Sequence, residues 1–177
     1  MEIKPTIIAL VGPESSGKTT LANQLALHFG AVLVAEFARE YIETLNRPYT
    51  KKDVEFIAQK QVESENRAIK SGNPIIICDT DVLVVKVWRV VKWGDTDSLV
   101  ENRFKNQEER LYLLLRPDLP WEADPQREHP TERNKLFAYY EDFLIQANKR
   151  YAIIEGLGKL RMENTLKAIS AEFHHLV

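Results

Sequence analysis

Apolar residues along this chain fall into short continuous runs, separated by longer stretches in which they recur every three or four positions. Thr6 to Val11 (TIIALV) is one such run, β-branched and closed by Gly12, the pattern of a strand buried on both faces. Thr19 to Phe29 follows with Leu21, Leu25 and Phe29 on one side and Gly30 as a helix stop. Ala31 to Ala35 predicts a second strand and Phe37 to Leu45 a helix ending near Asn46 and Pro48. Thr50 opens a helix running to about Ser71, with Asp53 in place of the usual Glu of a capping box and Gly72 as its stop. Ile75 to Cys78 is a third strand, Val82 to Trp93 a helix by its length, and Leu111 to Leu115 a fourth strand. Arg116 to Pro130 reads as an irregular loop. Thr131 to Asn148 is helical, Tyr151 to Ile154 a fifth strand, and about Leu160 to His175 a terminal helix. Strands alternating with helices predict an α/β domain, a five-stranded parallel sheet flanked by helices, occupying residues 1–177.

Composition narrows the partners. The 177 residues are 44% hydrophobic and 28% charged, enough to bury a core without disulfides. A net charge of -2 argues against a general nucleic-acid binder, so any phosphate site must be a local cluster of positive charge. No apolar run approaches the roughly 20 residues that span a bilayer, and Met1-Glu2-Ile3-Lys4-Pro5 does not read as a secretory leader. The lone cysteine, Cys78, sits in an apolar strand, where a buried thiol is expected, and a reducing cytoplasmic setting follows. His28, His129, His174 and His175 are scattered without zinc-ligand spacing. Oligomeric state is left open, self-association included.

Gly12-Pro13-Glu14-Ser15-Ser16-Gly17-Lys18-Thr19 matches G-x-x-x-x-G-K-[ST] in full, between a strand and a helix. Glycines let successive N–H groups curl toward phosphate oxygens, and the helix contributes its positive end. Gly12, Glu14, Ser15, Ser16, Gly17, Lys18, Thr19 and Thr20 are therefore the expected nucleotide-binding residues. Lys18 reaches the β- and γ-phosphates of ATP, and the Thr19 hydroxyl coordinates Mg²⁺. The opposing reading, a chance Gly/Ser turn, is weakened by the flanking elements.

Ile75 to Cys78 ends in Asp79-Thr80-Asp81, and ligands in parallel sheets bind beyond such strand ends. Asp79 can hold Mg²⁺ or take up the proton of an attacking hydroxyl, and Asp81 can face the acceptor; the alternative for both is helix capping. Glu36 and Arg39 repeat the arrangement after the second strand, as acceptor-binding residues or as a cap and a surface ion pair. Arg116, Arg127 and Arg133 flank or occupy the long loop, where a closing lid neutralises the transferring phosphoryl and excludes water, against the alternative of a solvated charged loop. Trp88 and Trp93 either belong to the core or stack on a flat cationic acceptor.

GPESSGKTTLA (Gly12 to Ala22), EFAREYI (Glu36 to Ile42), ICDTD (Ile77 to Asp81), Trp88 with Trp93-Gly94, and PDLPWEADPQRE (Pro117 to Glu128) together resemble the ribosylnicotinamide kinase domain of the NadR type. The resemblance implies an adenylate-kinase-like P-loop fold with strand order 2-3-1-4-5. It also implies transfer of the ATP γ-phosphate, with Mg²⁺, to the 5′-hydroxyl of nicotinamide riboside, giving nicotinamide mononucleotide. Lys18, Asp79 and Arg127 would be catalytic, Arg116 and Arg133 would join the nucleotide site, and Glu36, Arg39, Asp81, Trp88 and Trp93 would bind the substrate. Many family members carry a fused adenylyltransferase, but no H-x-G-H-type motif occurs here, so adenylyl transfer and repressor activity are not implied. A kinase for another nucleoside or small metabolite, or a nucleotide-dependent switch, are the competing readings. A guanine-specific switch is disfavoured because Asn134-Lys135 and Asn148-Lys149 lack the Asp of N-K-x-D.

Overall fold

The computed structural model describes residues 4–174. Its sheet contains β1 (Thr6–Val11), β2 (Val32–Val34), β3 (Ile75–Asp79), β4 (Leu111–Leu115) and β5 (Tyr151–Ile154). All the pairings are parallel, in the order β2-β3-β1-β4-β5, which is the expected order. β1 is central, with Leu10 opposite Asp79 of β3 and Ile8 opposite Leu111 of β4. The carboxyl ends of β1 and β3 therefore lie side by side, and the phosphate loop and Asp79 leave the sheet together.

Successive side chains of a strand point to opposite faces, and the continuous apolar runs are explained by both faces being covered. Ile7, Ala9, Val11, Ile76, Cys78 and Leu114 face α4 (Val82–Trp93) and α6 (Arg133–Gln146). Ile8, Leu10, Ile77 and Leu113 face α1 (Lys18–Phe29) and α7 (Gly158–Glu172). Each fully buried Leu or Ile contributes about 1.5–3 kcal/mol relative to exposure. A third cluster joins α2 (Phe37–Glu43), α3 (Lys51–Ile69), α4 and α5 (Ser98–Asn106) around Val54, Ile57, Val85 and Val100. Cys78 is buried, and its thiol is pushed well up by that burial.

Several bounds differ from the pattern reading. β2 is three residues rather than five, and α2 ends at Glu43. The capping box of α3 forms as expected, with Thr50 N–H donating to the Asp53 carboxylate at 2.7 Å. α5 was not expected: Asp97 caps it by accepting from Val100 N–H at 2.9 Å, and only Val100 and Phe104 are buried along it. α6 is shorter than the apolar periodicity suggests, and α7 begins two residues earlier, at Gly158, and runs to Glu172. The expected end of the terminal helix at His175 and the expectation for residues 1–3 lie outside the described residues. No helix among the described residues is long and apolar enough to cross a membrane.

Candidate active site

A cleft of about 680 Å³ opens above the carboxyl ends of β1, β2 and β3, within the range of small-molecule sites. One end is the phosphate loop. Gly12 has φ 143° and Gly17 φ 81°, and a Cβ at Gly12 would stand 2.7 Å from the Leu115 carbonyl oxygen, so only glycine fits there. Ser15 also takes a left-handed φ of 53°. Ser16 braces the curl by donating from Oγ to the Pro13 carbonyl at 2.7 Å. No side chain caps the start of α1, which leaves its first N–H groups available to an anion.

The Lys18 ammonium lies within this curl, donating to the carbonyls of Gly12 (2.9 Å) and Pro13 (2.8 Å). Among the described residues it is in no ion pair within 4 Å, so its charge is not already neutralised by contact. Burial lowers its pKa, against the pull of Glu36, Asp79 and Glu14. Asp79 is 3% exposed and sits behind Thr19 rather than on the cleft wall. Burial raises its carboxyl above the usual range, while the neighbouring Thr19 hydroxyl and the charge of Lys18 work the other way. Its Oδ1 is buried without a hydrogen-bond partner. A hydroxyl beside a carboxylate with an unsatisfied oxygen, next to a phosphate cradle, fits Mg²⁺, which takes one or two protein ligands and completes its shell with water and phosphate.

The other end of the cleft is lined by Glu36, Arg39, Ile42, Tyr49, Val84, Val87, Trp88 and Tyr140. Glu36 precedes α2, but its side chain makes no capping hydrogen bond. Its carboxyl is raised by burial and by nearby Asp79, with Lys18 opposing. Trp88 donates from Nε1 to the Tyr49 hydroxyl at 3.0 Å and meets its ring edge-to-face at 4.9 Å. This couples the indole to an aromatic wall.

The segment between β4 and α6 folds over the opening. Arg127 lines the cleft, donates to the Glu122 carbonyl at 2.6 Å, and lies near enough to Lys18 for the two charges to oppose. Arg39 pairs with Asp124 of this segment at 2.8 Å, so it fastens the lid rather than pairing with Glu36. Glu128 accepts from Tyr49 (2.7 Å) and Lys92 (3.0 Å).

Four expected site residues stand elsewhere. Asp81 is 1% exposed and caps α4, accepting from Leu83 N–H (2.8 Å), Tyr112 (2.8 Å) and Gln107 (3.0 Å), so it faces the interior and not an acceptor. The cause is Thr80, whose φ of 77° turns the chain between the two acids. Trp93 packs on Tyr49 at the outer end of α4, away from the cleft wall. Arg116 pairs with Glu155 at 3.1 Å and lies over Phe137, also off the wall. Arg133 is off the wall too and tethers the loop bases, donating to the carbonyls of Leu119 (2.8 Å) and Ser15 (3.4 Å). Glu14 keeps its place in the phosphate loop, but its side chain turns to the lid. Residues that pattern reading missed include Tyr49, Tyr140 and Arg161. Arg161 donates to the carbonyls of Ser16 and Gly156, both at 2.7 Å, and pairs with Asp118. None of the three stands in a local motif; Tyr49 alone carried a hint, as an aromatic just before a helix cap.

The family model described as an AAA domain matches residues 7–161. The trifunctional NAD biosynthesis/regulator protein NadR of Escherichia coli (strain K12) is 29% identical over 132 residues, covering 70% of this chain and 32% of that protein. The chain thus spans about a third of the curated relative. A crystal structure of a NadR protein in complex with NR superposes with a TM-score of 0.78 at 19% identity, covering 94% of this chain and 50% of that one. A deoxyadenosine kinase from M. mycoides, with dCMP and dCDP bound, superposes with a TM-score of 0.67 at 16% identity, covering 94% and 100%.

Proposed function

The chain belongs to the AAA-domain family, and from that premise we propose that it is an ATP-dependent kinase that phosphorylates the 5′-hydroxyl of nicotinamide riboside, forming nicotinamide mononucleotide. The observation that carries this reading is one cleft with a phosphate cradle at one end and a carboxylate beside an aromatic wall at the other. Nicotinamide riboside carries a fixed positive charge on a flat ring, which a carboxylate such as Glu36 and the face of Trp88 suit. The likeness to NadR, including a NadR structure with NR, supports the same acceptor.

The protein's part in the reaction is positioning and charge stabilisation. The phosphate loop and Lys18 hold the triphosphate; Thr19 and Asp79 would hold Mg²⁺, which would neutralise phosphate charge. The acceptor oxygen attacks the γ-phosphorus in line as the bond to the ADP oxygen breaks. Asp79 is buried and off the cleft wall, whereas Glu36 is on the wall with a carboxyl raised by burial. Glu36 is therefore the better placed of the two to receive the hydroxyl proton. Arg127 stabilises the transferring group from the lid. A kinase unit with its lid at 116–130, working in the cytoplasm, completes the reading.

The likeness to a deoxyadenosine kinase along that protein's whole length favours a second reading, an ordinary nucleoside as acceptor. A panel of nucleosides incubated with ATP and Mg²⁺, read by mass spectrometry of the products, separates the two. Nicotinamide mononucleotide as the dominant product is expected. Phosphorylated purine or pyrimidine nucleosides with no nicotinamide mononucleotide would replace the first reading with the second.

A further inference from the structure

Glu14 is the acidic residue of the phosphate loop, and a carboxylate beside a triphosphate is an electrostatic cost that needs a reason. In the structure both its oxygens are engaged by the far end of the lid. Oε1 accepts from the Glu128 N–H at 3.1 Å and Oε2 from the His129 N–H at 3.0 Å. Hydrogen bonds to an ionised acceptor are the stronger kind. The neighbouring Ser15 does the same at the near end, donating to the Glu122 carbonyl at 3.4 Å and accepting from the Glu122 N–H at 3.3 Å. Arg127 lies between these two attachments, on a stretch of backbone without regular structure.

We infer that Glu14 is a positioning residue: the phosphate loop itself fixes the lid at 122 and at 128–129, so that Arg127 is held over the group the same loop binds. The inference rests on the kinase reading and adds to it a role for Glu14 that is not phosphate binding. The attachment makes the loop that grips the phosphates also set the register of the arginine. Arg39 with Asp124, and Tyr49 and Lys92 with Glu128, hold the lid to the acceptor side as well, but neither attachment comes from the loop that grips the phosphates.

The test compares the wild type with Glu14→Ala, Arg127→Ala and the double variant, measuring kcat, KM for ATP and tryptic cleavage after Arg127. Misplacing a catalytic group by about 1 Å costs up to about 10²-fold, so Glu14→Ala should lower kcat roughly 10- to 100-fold with KM for ATP within about threefold. In the Arg127→Ala background the same change should cost less than about threefold, because interacting residues are not additive. Cleavage after Arg127 should be faster in Glu14→Ala than in the wild type, at an unchanged melting temperature. Glu14→Gln, which keeps an acceptor oxygen, should fall between wild type and Ala, and it carries the same comparison should the alanine variant not fold. Losses that multiply fully in the double variant, or unchanged cleavage, would overturn the inference. A wild type that phosphorylates no acceptor would instead remove the kinase reading, and the cleavage comparison would then decide the role of Glu14 alone.

Discussion

Glu36 holds a carboxyl where burial penalises its charge, near Asp79 and partly relieved by Lys18. In the folded chain it keeps a proton at pH values where the unfolded chain has lost it. Stability therefore falls as pH rises from the ordinary carboxylate range through the raised folded value. On the proposed function binding runs the opposite way, since a cationic ring would be held only by the ionised form. Equilibrium binding of nicotinamide riboside should strengthen as pH rises through the raised Glu36 value, while binding of uncharged nucleosides should not change. Glu36→Gln should flatten that profile, weaken nicotinamide riboside binding by roughly tenfold, the worth of about 1.4 kcal/mol, and raise the melting temperature at neutral pH. Calorimetric titration across pH checks the binding, and a thermal melt checks the stability.

The same scale shows where pattern stops being informative. Asp79 and Asp81 end one strand and look alike in the sequence. A single left-handed residue, Thr80, leaves one beside Lys18 and Thr19 and sends the other into a buried network with Tyr112 and Gln107. Threonine does not announce such a backbone angle. Lys18 and Thr19 were legible because their motif is local and its geometry is set by glycines at fixed offsets.

Among elements, the five strands were readable because both faces of the sheet are covered, which makes each strand a continuous apolar run bounded by glycine or polar residues. α5 was not, because only two of its residues are buried and the Asp97 cap was the one sign of it. The loops around the nucleotide end are joined by Arg161, whose guanidinium reaches the carbonyls of Ser16, Gly156 and Arg116 and pairs with Asp118, while Asp118 also accepts from Gly156 N–H at 2.7 Å. No spacing rule connects these positions, since the contact between Arg161 and Ser16 spans 145 residues. Lysine keeps the charge of Arg161 but not its planar fork. Arg161→Lys should raise KM for ATP about tenfold, in line with the 1.5–3 kcal/mol of hydrogen bonds to charged groups, and leave KM for the acceptor within about twofold. Steady-state kinetics with each substrate varied in turn checks it.

At the scale of the molecule, the strand order brings the ends of β1 and β3 together and places the end of β2 next to them, so that three loops meet at one edge of the sheet. The cleft forms there, with Lys18 and Thr19 at the start of α1 and Glu36 after β2 on its wall and Asp79, at the end of β3, buried beside them. The segment after β4 covers it, fastened at the phosphate loop, at Arg39 and at Tyr49. Enclosure of this kind matters for phosphoryl transfer because water competes with the acceptor. The measurement that bears most directly on this arrangement is ADP release from ATP and Mg²⁺, with and without nicotinamide riboside, in the wild type and in Lys18→Ala. The account predicts release that depends on the acceptor, matches nicotinamide mononucleotide one for one, and disappears in Lys18→Ala. Release at the same rate without acceptor, or undiminished in Lys18→Ala, would contradict it.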